Sequence, residues 1–204
     1  MKAKTQSKVK VKLTLSIIFL IISLYIAAVM VGYTNNLYQD LEISTDVLFK
    51  VIPFINLSVF SDIISLAGPL IFIAFVFSKK STRKKIPFYA TIVGIFYLIR
   101  SFFIYTCPLA NPFPLEKWGL NIFPVGGMFP SGHTGVLFLM FLLIKDEPNS
   151  KRYAFILLLF TILEGAFMIL SRGHYTLDVL GAIFIVYALH AFFRSSLQNK
   201  LTLI

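Results

Sequence analysis

The chain is poor in cysteine and in charge, and both shortages constrain it. Cys107 is its sole cysteine, so an internal disulfide is excluded and nothing is said about redox compartment. A lone cysteine of this kind reads as a small buried apolar residue. Only 14% of the 204 residues are charged, against roughly 25% in an ordinary soluble domain. No internal repeat and no low-complexity tract is present, which argues against a solenoid or a paired-halves transporter. Neither a His-Glu-x-x-His helix nor a Gly-x-Ser-x-Gly elbow occurs. What the chain does have is apolar: 57% hydrophobic residues and a mean hydropathy of +0.82. One domain fits this length. The net charge of +10 could suggest a nucleic-acid partner. The basic residues, however, fall in short runs between apolar segments, as in a membrane protein, so no nucleic acid is expected.

The pattern predicts an all-α membrane fold, six transmembrane helices in one bundle. The apolar segments cover about residues 13–33, 59–78, 87–107, 132–145, 153–171 and 176–194. The first follows a basic stretch, as a signal peptide does, but its apolar run is too long and no small-residue cleavage site follows. It reads as an uncleaved span. Lysines and arginines set the direction. Fifteen of the nineteen lie in the N-terminal tail, around 79–85, around 145–152 and in the C-terminal tail, all on one side if six spans alternate. The opposite side holds only Lys50, Lys117 and Arg172, and Arg100 lies within a span. This predicts cytoplasmic N- and C-termini. The expected organisation is a basic tail over 1–12, the membrane domain over 13–194 and a second tail over 195–204.

Two details locate a site. The fourth segment, at about 14 residues, reaches only about 21 Å across a hydrocarbon core of about 30 Å. Its N-terminal end, Ser131-Gly132-His133, should therefore be recessed below the non-cytoplasmic surface. The stretch 47–55 contains Pro53 and is too short to span, which predicts an interfacial or re-entrant segment.

Two histidines fall at this level, His133 at the start of the fourth span and His174 at the start of the sixth. His190 lies near the other surface. His174 and Asp178 are four apart, so on a helix they share a face. A carboxylate on one ring nitrogen fixes the tautomer and makes the other nitrogen a better nucleophile. A second histidine can protonate a leaving oxygen. Ser131 and Gly132 open a helix whose free amides favour an anion, and Arg172 offers a forked donor to phosphate. Nucleophile, orienting acid and oxyanion donors for phosphoryl transfer are thus all present. Three other readings remain open: polar side chains in the headgroup zone, a zinc site on His133, His174 and Asp178, and a non-catalytic transporter or scaffold.

The motifs also resemble a known family. Phe129-Pro130-Ser131-Gly132-His133-Thr134 is similar to the second motif of the lipid phosphate phosphatase (type 2 phosphatidic acid phosphatase) superfamily. His174-Tyr175-Thr176-Leu177-Asp178-Val179 is similar to the third motif of its sphingomyelin synthase-like branch. Thr45-Asp46-Val47-Leu48 with Pro53, and Gly94 to Arg100 followed by Tyr105 and Pro108, resemble upstream stretches of the same branch. The phosphatases' Lys…Arg-Pro first motif is missing, and Gly173 alone separates Arg172 from His174, where the phosphatases have five residues. Both departures favour the synthase-like branch. The resemblance implies that His174 attacks phosphorus to form a phosphohistidine, Asp178 holds it, and His133 serves as acid and then base. It implies no metal or other cofactor, a phospholipid donor, and a lipid alcohol acceptor such as ceramide or diacylglycerol. The resemblance to the phosphatases implies hydrolysis of phosphomonoesters as the alternative.

Arg100 and Glu164 lie about 10 Å inside the third and fifth spans by helical rise. Equal depth predicts that they pair or line the substrate cavity, because an unsatisfied ionisable group there costs at least about 2.5 kcal/mol. Asp46 and Asp62 read as solvated carboxylates of the outer loops, with a place near a cationic headgroup as the alternative. Tyr105, Trp118, Phe123, Phe129 and Tyr175 read as interfacial aromatics, with a cage for a quaternary ammonium as the alternative.

Overall fold

The structure is a computed structural model. It describes residues 2–37, 41–113, 118–120 and 126–201, with side chains described between 11 and 194. Lys117 and Phe123 lie outside these residues. Eight helices and no strand occur among them: α1 (Lys2–Leu37), α2 (Val47–Val51), α3 (Ser58–Ser78), α4 (Lys80–Arg83), α5 (Ile86–Thr106), α6 (Gly132–Ile144), α7 (Lys151–Leu170) and α8 (Thr176–Leu201).

Five helices are long and apolar enough to cross a membrane: Val11–Leu37, Ser58–Ser78, Ile86–Thr106, Lys151–Leu170 and Thr176–Arg194. The sixth predicted span corresponds to α6, whose 13 residues fall short of that length. The first helix is longer than predicted. It continues through the basic tail to Lys2, because lysine is a good helix former and no proline interrupts the segment. Elsewhere the local punctuation works as expected. Pro87 sits in the first turn of α5, where its missing amide hydrogen is no loss. Pro108 follows the Cys107 cap and prevents continuation.

The short helix α6 occupies the centre. Ten of its thirteen residues are buried, on all faces, as a helix enclosed by others must be. Leu137, Leu139 and Ile144 pack with Phe75, Phe96, Leu157 and Val186, all essentially inaccessible. Around this core, α1 packs on α5 and α3 on α7. The outward faces carry exposed Leu15, Tyr25, Phe77, Phe155, Phe184 and Phe192. An apolar perimeter of this kind suits lipid and not water.

Helix direction alternates, so the starts of α3, α6 and α8 gather with the ends of α1, α5 and α7. The 47–55 stretch lies at this same end as α2 and an extended tail. Ile55 N donates to Leu170 O at 3.0 Å, fastening the stretch to the end of α7. At the opposite end, short connections are tied by Lys85–Glu147 and Arg194–Asp146 ion pairs.

Candidate active site

The centre of the site is the α7–α8 connection. Gly173 N donates to Met168 O at 2.8 Å, and Arg172 has a positive φ of 59°. That left-handed turn reverses the chain after α7 and places His174 directly before α8. A non-glycine residue in this region is strained, and Arg172 is held there by strong contacts. Its Nη2 donates to Phe49 O (2.8 Å) and Ile52 O (2.9 Å), and its guanidinium lies 4.2 Å from the centre of the Phe49 ring. Its other terminal nitrogen, Nη1, is buried without a hydrogen bond among the described residues.

His174 is 3% exposed. Its Nδ1 lies 3.1 Å from Asp178 Oδ2, the predicted partner; His174 itself precedes α8, so the contact runs from the turn onto the first turn of the helix and not along one helical face. Tyr175 N donates to the same oxygen at 2.9 Å, fixing the carboxylate. With Nδ1–H directed to Asp178, Nε2 carries the lone pair. Asp178 is fully buried, and its Oδ1 has no hydrogen-bond partner among the described residues.

The second histidine comes from α6. Ser131 N-caps this helix, accepting from Thr134 N with its hydroxyl, and its own amide donates to Asp178 O at 3.0 Å. That backbone bond docks the α6 N-terminus on the first turn of α8. Phe96 and Arg100 of α5 close the other side. Gly132 is required here, since a Cβ would lie 2.8 Å from Arg100 Nε. The ring centroids of His133 and His174 are 6.4 Å apart, at an interplanar angle of 66°.

Arg100 and Glu164 are not partners. Arg100 donates from Nε to Pro130 O (3.1 Å) and from Nη2 to Gly127 O (2.8 Å) and Gly126 O (3.4 Å). It therefore orders the segment that leads into α6. Glu164 Oε1 accepts from Ser61 (2.7 Å) and Ser65 (3.1 Å) and so bridges α7 to α3. Depth placed both groups at one level, but helix rotation turned them to different neighbours. Asp62 is also not solvated: it is 1% exposed and accepts from Leu120 N at 2.6 Å. Trp118 and Tyr175 are buried, the former against the α7–α8 turn, where a Cβ on Gly173 would lie 2.0 Å from its ring. Tyr105 remains exposed, and so does Cys107, which was expected to be buried but caps the end of α5.

Sequence reasoning missed the staples between the 41–57 segment and this turn. Asp46 caps two helices at once. Oδ1 accepts from Leu48 N of α2 (2.9 Å), while Oδ2 accepts from Thr176 N, the first residue of α8 (2.6 Å). Burial pushes its carboxyl up, but the bonds from Thr176 and Leu48 and the nearby Arg172 charge outweigh it and hold it below its ordinary 3.8. Ser171 Oγ accepts from Leu57 N and donates to Ile55 O. Tyr175 OH donates to Ala110 O and accepts from Ser44 N. Only the polar side chains flanking the motif hinted at this role.

Three cavities lie at this end of the bundle, and two of them reach a histidine. An apolar groove of about 510 Å³ runs between α1, α3, α5 and α6, from Leu20, Ile73 and Met140 to Arg100, Gly132 and His133. A more polar vestibule of about 350 Å³ lies by Thr34, Ile43, Cys107 and Asn111. Between them is a space of about 20 Å³ bounded by Asn111, Trp118, His133 and His174. Among the described residues, no three His, Cys, Asp or Glu side chains converge as a metal would require.

An all-helical bundle with a lipid-suited perimeter, and two histidine rings 6.4 Å apart at one end of it, fits a membrane protein with a buried polar site. Residues 126–196 match the family described as PAP2 superfamily C-terminal. The match takes in Ser131, Gly132, His133, Glu164, Arg172, His174 and Asp178, and it supports the lipid phosphatase superfamily, whose members are phosphatases or phosphotransferases. No curated protein matches the chain.

Proposed function

We propose that this chain is a membrane lipid phosphotransferase working through a phosphohistidine. The observation that carries the reading is the 6.4 Å separation of the His133 and His174 rings, with Asp178 on the Nδ1 of the latter. His174 Nε2 attacks phosphorus, and Asp178 stabilises the imidazolium character that develops. His133 protonates the leaving lipid oxygen, then removes the proton from the incoming acceptor. The α6 N-terminus, with Ser131 and Gly132, offers amide hydrogens to the phosphoryl oxygens.

Arg100 acts on the phosphate through its charge and by holding the 126–130 segment. Arg172 and Glu164, whose hydrogen bonds go to the protein itself, support the substrate cavity as positioning residues. The apolar groove ending at His133 suits a hydrocarbon chain, which favours a lipid donor. The site lies on the non-cytoplasmic face, since the basic residues 79–85 and 145–152 crowd the opposite end.

The motif resemblance makes the acceptor a lipid alcohol such as ceramide or diacylglycerol. Hydrolysis is the second reading, favoured by the polar vestibule on the side away from the groove. Purified protein in detergent, incubated with labelled phospholipids with and without ceramide or diacylglycerol, tests both. Under the transferase reading, a new phospholipid mass should form only when the alcohol is present. Release of phosphate or free headgroup phosphate regardless of alcohol supports hydrolysis. Absence of both products across the panel would exclude lipid phosphoryl transfer.

A further inference from the structure

We infer that Asn111 holds the water that hydrolyses the phosphohistidine, an assignment that rests on the covalent reading above and gives it a hydrolytic branch. Asn111, Phe113 and Met128 line both the vestibule and the small space between the histidines, and of the three Asn111 is the one with a polar amide side chain. Its Oδ1 is buried and has no hydrogen-bond partner among the described residues. A buried amide oxygen left unpaired is costly, and this one lines the same small space as both imidazoles. Its neighbour Ala110 accepts from Tyr175 OH at 3.0 Å, so the segment is anchored to the residue that follows His174.

The size of the space is informative. About 20 Å³ open to a water-sized sphere accommodates one water, which needs roughly 10–15 Å³ by the same measure, and leaves no room for a lipid alcohol. The vestibule on its polar side gives water a route that does not cross the apolar groove.

The chemistry selects water over an alcohol as well. In the second half-reaction, the acceptor oxygen bonds to phosphorus as the bond from phosphorus to His174 Nε2 breaks, and that electron pair stays on Nε2. His133 takes one proton from the acceptor. Water has a second proton, which donates to Asn111 Oδ1 and remains on the product as P–OH. An alcohol has none left to give. Asn111 is therefore a positioning residue for hydrolysis, and transfer to an alcohol does not need it.

The test uses the full chain in detergent with radiolabelled short-chain phosphatidic acid, with and without diacylglycerol. In Asn111→Leu, phosphohistidine should form at the wild-type rate but accumulate, with phosphate release slowed by about tenfold or more. Transfer to diacylglycerol should be retained, so the ratio of transfer to hydrolysis rises. Asn111→Asp, which keeps the acceptor oxygen, should restore most of the release rate. Should Asn111→Leu fail to elute as a single species, Asn111→Ala carries the same test. Unchanged release, or equal loss of formation and release, overturns the assignment while phosphohistidine in the wild type leaves the covalent reading standing. Absence of phosphohistidine in the wild type overturns both.

Discussion

The two ends of the helix bundle each hold a histidine, a cavity and several charged side chains, yet they are built differently. At one end, His174, Asp178, Asp62, Arg100 and Glu164 are at least nine-tenths buried, and each but His174 bonds to a different element of the fold or to two groups at once. At the other, His190 lies beside a cavity of about 280 Å³ ringed by Lys85, Asp146, Glu147 and Arg194. There the charges meet in pairs across short connections, and Asp146 and Arg194 are more than half exposed. The lesson concerns desolvation. A polar group withdrawn from water must be satisfied from several directions or used, whereas a solvated pair contributes little whatever its geometry.

The contrast can be broken at the histidine first. His174→Ala should lower turnover by about four orders of magnitude or more, as loss of a covalent nucleophile does in other enzymes. His190→Ala, at the opposite end, should leave turnover within about twofold. Equal losses in a phospholipid assay would erase the distinction between the ends.

Arg100→Met comes next. It removes three charge-assisted bonds to the carbonyls of Gly126, Gly127 and Pro130 and leaves those oxygens buried. A stability loss of about 2–3 kcal/mol is expected, measured by thermal unfolding in detergent. A change below about 0.5 kcal/mol would mean that the 126–130 segment is ordered by other contacts.

Asp46 probes a staple at the same end. Its carboxyl is held below its ordinary value by hydrogen bonds in the folded state. It therefore adds stability that is present above the unfolded pKa of about 3.9 and is lost as pH falls through the folded value. Asp46→Asn should cost about 1 kcal/mol at neutral pH, in the range of a lost helix cap, with the difference from wild type shrinking below about pH 4. A pH-independent difference would show that the charge contributes nothing.

The smallest effect is expected at the far end. Lys85→Ala breaks the Lys85–Glu147 pair and should shift stability by less than about 1 kcal/mol, with turnover unchanged. A larger loss in the same unfolding assay would show that the pair contributes more than an exposed ion pair does.

The same contrast explains what could be read from the chain alone. Apolar runs located α3, α5, α6 and α7 within a few residues, because the cost of exposing backbone to lipid leaves few choices, whereas α1 and α8 run on into the polar tails. The His174–Asp178 bond was legible because residues four apart stay close where a turn enters a helix, even though His174 precedes α8. Pairing across the fold was not. Arg100 and Glu164 share a depth, but their rotation about α5 and α7 is set by packing against α6 and α3, which depth does not encode. Arg172 reads as a phosphate ligand because its guanidinium is a forked donor beside His174. That its Nη2 binds the carbonyls of Phe49 and Ile52, about 120 residues upstream, was not legible. Asn111 belongs to no motif, and the stretch that holds Asp46 does not name its partner; the surroundings of both emerge only once distant segments meet.

Everything turns on whether one phosphorus atom is shared by the two imidazoles. The most direct measurement is to quench wild-type protein during turnover of a radiolabelled phospholipid, digest it under alkaline conditions that preserve phosphohistidine, and map the label by mass spectrometry. The label should sit on His174, and His133→Ala should retain it while release slows by about 10²-fold or more. Label on His133 or elsewhere, or turnover without any labelled histidine, would contradict the account.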